Sequence, residues 1–181
     1  GSNVIYAEKW PFTGGNGRDW WKDFIKRPNV SYSEYRFLKA NLKTAQTVSI
    51  FAMTGNIVAK AKSSSINQLN LRGAGLDYNK LFEMNLEHGR YLTNEEIEGG
   101  RNVVILGYEV AKGLFPNGDV VGQQVKIKNL KFNVVGVLKR EGESFLGTPS
   151  NDFGCIIPYE SFRKLFQTGT GRWTELGSRI G

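Results

Sequence analysis

The sequence predicts an α+β fold, and three observations carry that expectation. Residues 31–45, SYSEYRFLKANLKTA, place Tyr35, Leu38, Leu42 and Ala45 at helical intervals, with Ser31 and Glu34 at capping-box spacing. Directly afterwards the period changes: Val48, Ile50 and Ala52 alternate with Ser49, Phe51 and Met53, as a strand requires. Further on, VVGQQVKIKNLKFNVVGVL (120–138) holds two valine-rich segments on either side of Asn129-Leu130, the pattern of a hairpin. A helix followed by a meander of strands segregates the two kinds of element into an α+β arrangement. The chain has 181 residues, 40% hydrophobic and 12% aromatic, enough apolar side chain to bury a core.

Taken in order, GGNGRDWWKDFIKRP (14–28) is a glycine-rich turn leading into a short helix. Trp20, Trp21, Phe24 and Ile25 share one face, Lys22, Asp23, Lys26 and Arg27 the other, and Pro28 stops it. A helix docked on its own core is favoured there over one lying on a bilayer surface. After the helix at 31–45, Thr54-Gly55-Asn56 is expected to turn the first strand into a second with Lys60 and Lys62 outward, and a third strand runs over SINQLNLRG (65–73). The segment 74–100 should hold two helical turns, one capped by Asp77 with Leu81 and Phe82 inward, one opened by a Thr93/Glu96 capping box. His88, between them in LEHGRYL, reads as a surface-turn or packed histidine. RNVVILG (101–107) is a fully apolar strand, and YEVAKGLF (108–115) a short helix presenting Val110, Ala111, Leu114 and Phe115 up to Pro116.

In the valine-rich pair, Val125 and Ile127 point one way and Lys126 and Lys128 the other, which suits a half-exposed strand near an edge. Phe132 and Val134 continue the buried face, while Val135 and Val137 fill the opposite one, so 131–138 should be central. Gly136 leaves room for a neighbouring backbone or a bulge. A polar loop follows (140–152), then FGCIIP as a strand and PYESFRKLF as a helix that Pro158 can start. The tail, 167–181, is expected to end without completing an element.

Little in this pattern is chemistry. One histidine and one cysteine all but exclude a zinc site. Cys155, inside GCIIP, can form no intramolecular disulfide and reads as a buried thiol. The glycines of GGNG (14–17), RGAG (72–75) and GTG (169–171) lack a following Lys-Ser/Thr and read as turns, not a phosphate-binding P-loop. Ser63-Ser64-Ser65 has no base and orienting acid nearby, and Glu95, Glu96 and Glu98 fall on an exposed capped turn. The net charge of +7 is spread along the chain without a basic block, so nucleic acid is not an expected partner. No run approaches the ~20 apolar residues of a membrane helix, no secretory signal or transit peptide heads the chain, and Gly1-Ser2 has the form of an expression remnant. The chain therefore reads as soluble and non-enzymatic, with no catalytic, cofactor-binding or metal-ligating residue. Binding residues stay unassigned, the exposed candidates being Trp20, Trp21, Lys126 and Lys128.

The order of segments says more. GRYLTNEE (89–96), VVILG (103–107), VAKGLF (110–115), GQQVKIKNLKFNVVGVL (122–138) and IIPYESF (156–162) succeed one another in a way that resembles the periplasmic core domain of MacB/FtsX-type ABC transporter permeases. The resemblance covers about half the chain well. It implies two lobes: a porter-like α/β-sandwich lobe, here partial, begun by residues 1–88, and a smaller strand-rich lobe inserted at 89–166. Residues 167–181 would then start the return to the first lobe, cut short at Gly181. It also implies a place between two membrane helices of a bacterial inner-membrane permease, facing the periplasm. The ATPase would be a separate subunit or domain reached through those helices, the full-length protein a dimer, and the partner a periplasmic protein or cargo. The implied role is mechanical: coupling ATP-driven helix movement to export of a drug, peptide or lipoprotein, or to signalling, with no cofactor. From the residues alone, a free-standing extracytoplasmic module binding peptide or lipid remains the second reading, and an enzyme the third.

Overall fold

A computed structural model of the protein describes residues 5–7, 32–41, 48–81, 84–142, 151–166 and 178–180. The strands are β1 (Ile5–Ala7), β2 (Val48–Ala61), β3 (Ser64–Ala74), β4 (Leu86–Gly89), β5 (Val103–Leu106), β6 (Gln124–Ile127), β7 (Leu130–Leu138), β8 (Gly154–Pro158) and β9 (Ser178–Ile180). The helices are α1 (Tyr32–Asn41), α2 (Tyr78–Leu81), α3 (Asn94–Glu98), α4 (Tyr108–Leu114) and α5 (Tyr159–Phe166). This is the sheet-rich α+β fold expected.

Six of the strands close on themselves. β2 pairs β3 antiparallel, β3 pairs β8 parallel, and β8 pairs β5 antiparallel. β5 then pairs β7 parallel, β7 pairs β6 antiparallel, and β6 returns to β2 antiparallel. The last seam is short, with Ala59 opposite Ile127 and Lys60 opposite Lys126, as many pairs as join β5 to β8. Outside the ring, β4 adds to the end of β7, and β9, flanked by β1, pairs the first residues of β2.

Apolar side chains cover the ring on both faces. One cluster gathers Leu69, Leu71, Val104, Leu106, Val125, Ile127, Phe132, Cys155 and Ile157 with Val110 and Leu114 of α4 and Phe162 and Leu165 of α5. The other gathers Phe51, Tyr78, Leu92, Ile97, Val103, Ile105, Val135, Leu138 and Ile156. The four residues of β5 alternate between the two clusters and are all buried, which is why VVIL is apolar throughout. Each fully buried side chain of this size contributes about 1.5–3 kcal/mol.

Several expectations change. Thr54-Gly55-Asn56 is not a turn: β2 runs straight through, and the glycine and asparagine fit a bulge. Thr54 pairs Leu71 and Ile57 pairs Leu69, so β2 carries one extra residue there, with Asn56 at φ 56°. The actual hairpin turn is Lys62-Ser63, between Ala61 and Ser64, with Lys62 at φ 50°. β6 is not an edge strand, because it is held by β7 on one side and β2 on the other. Val137 joins Phe132 and Val134 in the first cluster rather than facing away with Val135. A register shift causes this: Val134 pairs Val104 but Gly136 pairs the next residue, Ile105, leaving Val135 as the extra residue of a bulge. A Cβ on Gly136 would lie 2.5 Å from the Arg90 carbonyl oxygen, the close backbone approach anticipated for this glycine. RGAG is no turn either; Arg72–Ala74 end β3, and a Cβ on Gly73 would meet Phe162 at 2.6 Å.

His88 lies in a strand, β4, exposed and opposite Val137. The tail does complete an element, since Ser178–Ile180 pair both β1 and β2. The two-lobe description is not confirmed: strands on either side of residue 88 share one sheet and both clusters. Ser31, the proposed start of α1, and the helix expected over 14–28, with Trp20 and Trp21, lie outside the described residues. So do Phe82 and the side chain of Leu81; Asp77, expected to cap α2, sits at φ 64° with its carboxylate 2.9 Å from Lys80.

Candidate functional site

GRYLTNEE forms a clasp. Gly89, at φ 77°, passes so close to Val135 that a side chain there would strike its carbonyl oxygen. The next amide, Arg90 N, donates to that same oxygen at 2.9 Å. The Arg90 guanidinium turns back and grips Glu96 through both oxygens, Nη1 to Oε1 at 2.7 Å and Nη2 to Oε2 at 3.1 Å. Glu96 also closes the capping box of α3: Thr93 N donates to Oε1 at 2.9 Å, and Glu96 N donates to Thr93 Oγ1 at 3.2 Å. The bond to Arg90 holds the Glu96 carboxyl below its ordinary range and raises the guanidinium further. Glu95 and Glu98 are exposed as anticipated, but Glu96 is not, because Arg90 and the helix start cover it. Leu92 and Ile97 on either side of the box are buried, so the motif fastens α3 to the sheet. Its role is structural.

Two further features had no sequence signal. Asp152, buried, accepts from Glu141 N at 2.8 Å and Gly142 N at 3.0 Å. Beside it, Asn151 Nδ2 donates to Glu141 at 2.7 Å, tying together the two ends of the loop expected at 140–152. Tyr91 carries a buried hydroxyl without a hydrogen-bond partner among the described residues, and burial followed by the neighbouring Tyr78 pushes its titration up.

The outer face of the β2–β6–β7 seam is basic. Lys60 stands opposite Lys126, and Lys126 opposite Lys131, so three exposed lysines form one row across three strands. Their buried neighbours, Ala59, Val125, Ile127 and Phe132, point the other way. Beside the row is a groove of about 320 Å³ lined by Asn56, Ile57, Val58, Lys60, Lys126, Lys128 and Asn129. Lys128 reaches over the Phe166 ring, 4.3 Å from its centroid. Of the exposed candidates, the structure thus brings Lys126 and Lys128 together; sequence alternation found both, but not Lys60 or Lys131 opposite Lys126. A second hollow, about 300 Å³, is lined by Ile50, Gly75, Leu76, Ile97, Glu98, Tyr159 and Glu160.

No group of His, Cys, Asp and Glu among the described residues could hold a metal ion. The Cys155 thiol is buried and pushed up to about 12 by that burial, the opposite of what a nucleophile needs. Among the described residues no helix is long and apolar enough to cross a membrane.

Comparison with known proteins gives the class first: a periplasmic core domain. The chain belongs to the family described as the MacB-like periplasmic core domain, whose model matches residues 1–177. Its fold is similar to the periplasmic region of MacB from Actinobacillus actinomycetemcomitans, with TM-score 0.69 at 23% identity over 91% of this chain and 69% of that one. The extracellular domain of the noncanonic ABC-type transporter YknZ from Gram-positive bacteria gives TM-score 0.68 at 18% identity over 83% of this chain and 72% of that one. In sequence, the chain is 31% identical over 97 residues, 53% of its length, to the pyoverdine export ATP-binding/permease protein PvdT of Pseudomonas aeruginosa. It is 29% identical over 119 residues, 66% of its length, to the macrolide export ATP-binding/permease protein MacB of Aggregatibacter actinomycetemcomitans. These matches span only 14% and 17% of the two relatives' lengths.

Proposed function

We propose that this chain is the periplasm-facing part of an inner-membrane ABC export permease and works there as a non-catalytic lever. Movements of flanking membrane helices, driven by an ATPase subunit or domain, would be carried by the domain to a periplasmic partner or cargo, in a dimeric assembly. The observation that carries this reading is the family match together with the closed six-strand ring. A ring in which each strand has two neighbours moves as one body, because dense apolar packing on both faces resists deformation. The relatives' names, each an ATP-binding/permease protein, supply the energy source that this stretch does not.

Distances in the full-length parent protein test the idea. One spin-label pair sits within the domain at Asn67→Cys and Glu95→Cys, both exposed positions. A second pair links Glu95→Cys to the periplasmic end of a flanking membrane helix. Between the nucleotide-free and vanadate-trapped states, the first distance should hold and the second should shift. A fixed second distance, or a parent gene without flanking membrane helices, overturns the lever.

A further inference from the structure

The lysine row at the seam calls for a partner. None of Lys60, Lys126 and Lys131 has an ion-pair partner among the described residues, where the paired carboxylates are Asp77, Glu96 and Glu160. On β3 the row continues into uncharged Ser65, opposite Lys60. To one side lies Gln124 opposite Asn133, again uncharged. Like charges directly opposite on neighbouring strands destabilise a sheet, and a surface charged only for solubility intersperses both signs. Here three cations repel one another at a short seam of the ring, where Ala59–Ile127 and Lys60–Lys126 are the paired residues. An arrangement that weakens the fold at a short joint is explained if an anion neutralises it.

We propose that this row is a docking surface for an acidic amphipathic helix of a protein partner. Paired residues on adjacent strands stand about 4.5–5.5 Å apart, so the row is a file of cations at that interval. Carboxylates three or four residues apart on a helix recur at about 5–6 Å, which matches it. Val58, exposed and two residues from Lys60 on the same face of β2, meets the apolar edge of such a helix. Val58 is not aromatic, and among the described residues no bulky apolar wedge stands there, which disfavours a lipid surface as the occupant. The groove beside Lys60 and Lys126, with Asn56 and Asn129 at its rim, leaves room for the carboxylate-bearing side chains.

The test uses the 181-residue chain and a fluorescein-labelled, alanine-based helical peptide of about 18 residues, with glutamates four apart on one face and leucines beside them. The control peptide has the same composition with its glutamates spread around the helix. The aligned peptide should bind several-fold tighter than the control, with affinity falling as salt is added. Lys126→Glu should weaken binding at least about tenfold and yet raise the melting temperature of the free chain, since it places an anion between Lys60 and Lys131. Lys126→Gln should weaken binding and raise the melting temperature in the same sense, and it stands in if the glutamate variant fails to fold. Equal binding of both peptides, a variant that binds undiminished, or a lower melting temperature in the Lys126 variants sinks the proposal. So does sedimentation with phosphatidylglycerol vesicles in the absence of peptide binding. Affinity read on the isolated chain is separate from the distance changes that test coupling.

Discussion

Glu96 concentrates several interactions in one carboxylate. It accepts from Arg90 twice, caps α3 through Thr93, and is only 15% exposed, while Arg90 is 52% exposed. Its folded-state pKa is lowered, so the stabilisation is complete above the ordinary value near 4.5 and is lost as pH falls through the lowered one. Glu96→Gln should cost about 1 kcal/mol at pH 7, discounted for the solvent around the guanidinium. That difference should vanish in acid, where the native carboxyl is protonated too. Melting temperatures of both proteins across pH 3–7 check it; a gap that persists below the lowered pKa would show that the charge is not the cause. The Thr93/Glu96 spacing made the capping box legible in the sequence. Arg90 was not, because a guanidinium six residues from its carboxylate meets it only once Gly89 has turned the chain. The same holds for Asp152, whose partners, the amides of Glu141 and Gly142, lie across a loop.

Among elements, β5, α4, α3 and the β6–β7 pair stand where their apolar periodicity put them. Two of the failures fall at glycine-containing stretches in long strands. Thr54-Gly55-Asn56 and RGAG carry turn residues, but a bulge and a close approach ask for the same freedom as a turn, and composition cannot separate the three. Conversely, Lys62-Ser63 turns the chain without glycine, proline or asparagine, because cross-strand pairing of β2 with β3 dictates the position. The β6–β7 turn offers a check. Lys128 and Asn129 both have positive φ, 46° and 70°, as a type I′ turn requires. Replacing the pair by Asn-Gly should stabilise the chain by about 0.5–1 kcal/mol, since Lys is strained there and the favoured dipeptide is not. Chemical denaturation measures the gain; a loss would mean that Lys128 over Phe166 matters more than its backbone strain.

For the whole molecule, ring closure joins residues on both sides of position 88 into one hydrogen-bonded circuit. Sequence order cannot display such a circuit, since Ala59 and Ile127 meet only in the fold, and for that reason β6 looked like an edge. Native-state hydrogen exchange should show amides of β3 and β5 opening together, in one cooperative transition, with those at the Ala59–Ile127 seam opening at lower free energy. Separate openings of β2–β3 and β5–β7 would instead mean two independently stable lobes.

The β2–β3 hairpin is contiguous in sequence, yet its outer neighbour β8 is not made until Gly154–Pro158. A ribosome that has delivered the hairpin therefore leaves the flank of β3 open to any passing strand until β8 emerges. On the stretch that β8 later covers, Asn70 and Arg72 are polar where a buried strand would carry valine, which makes the waiting flank a poorer template for a stray strand.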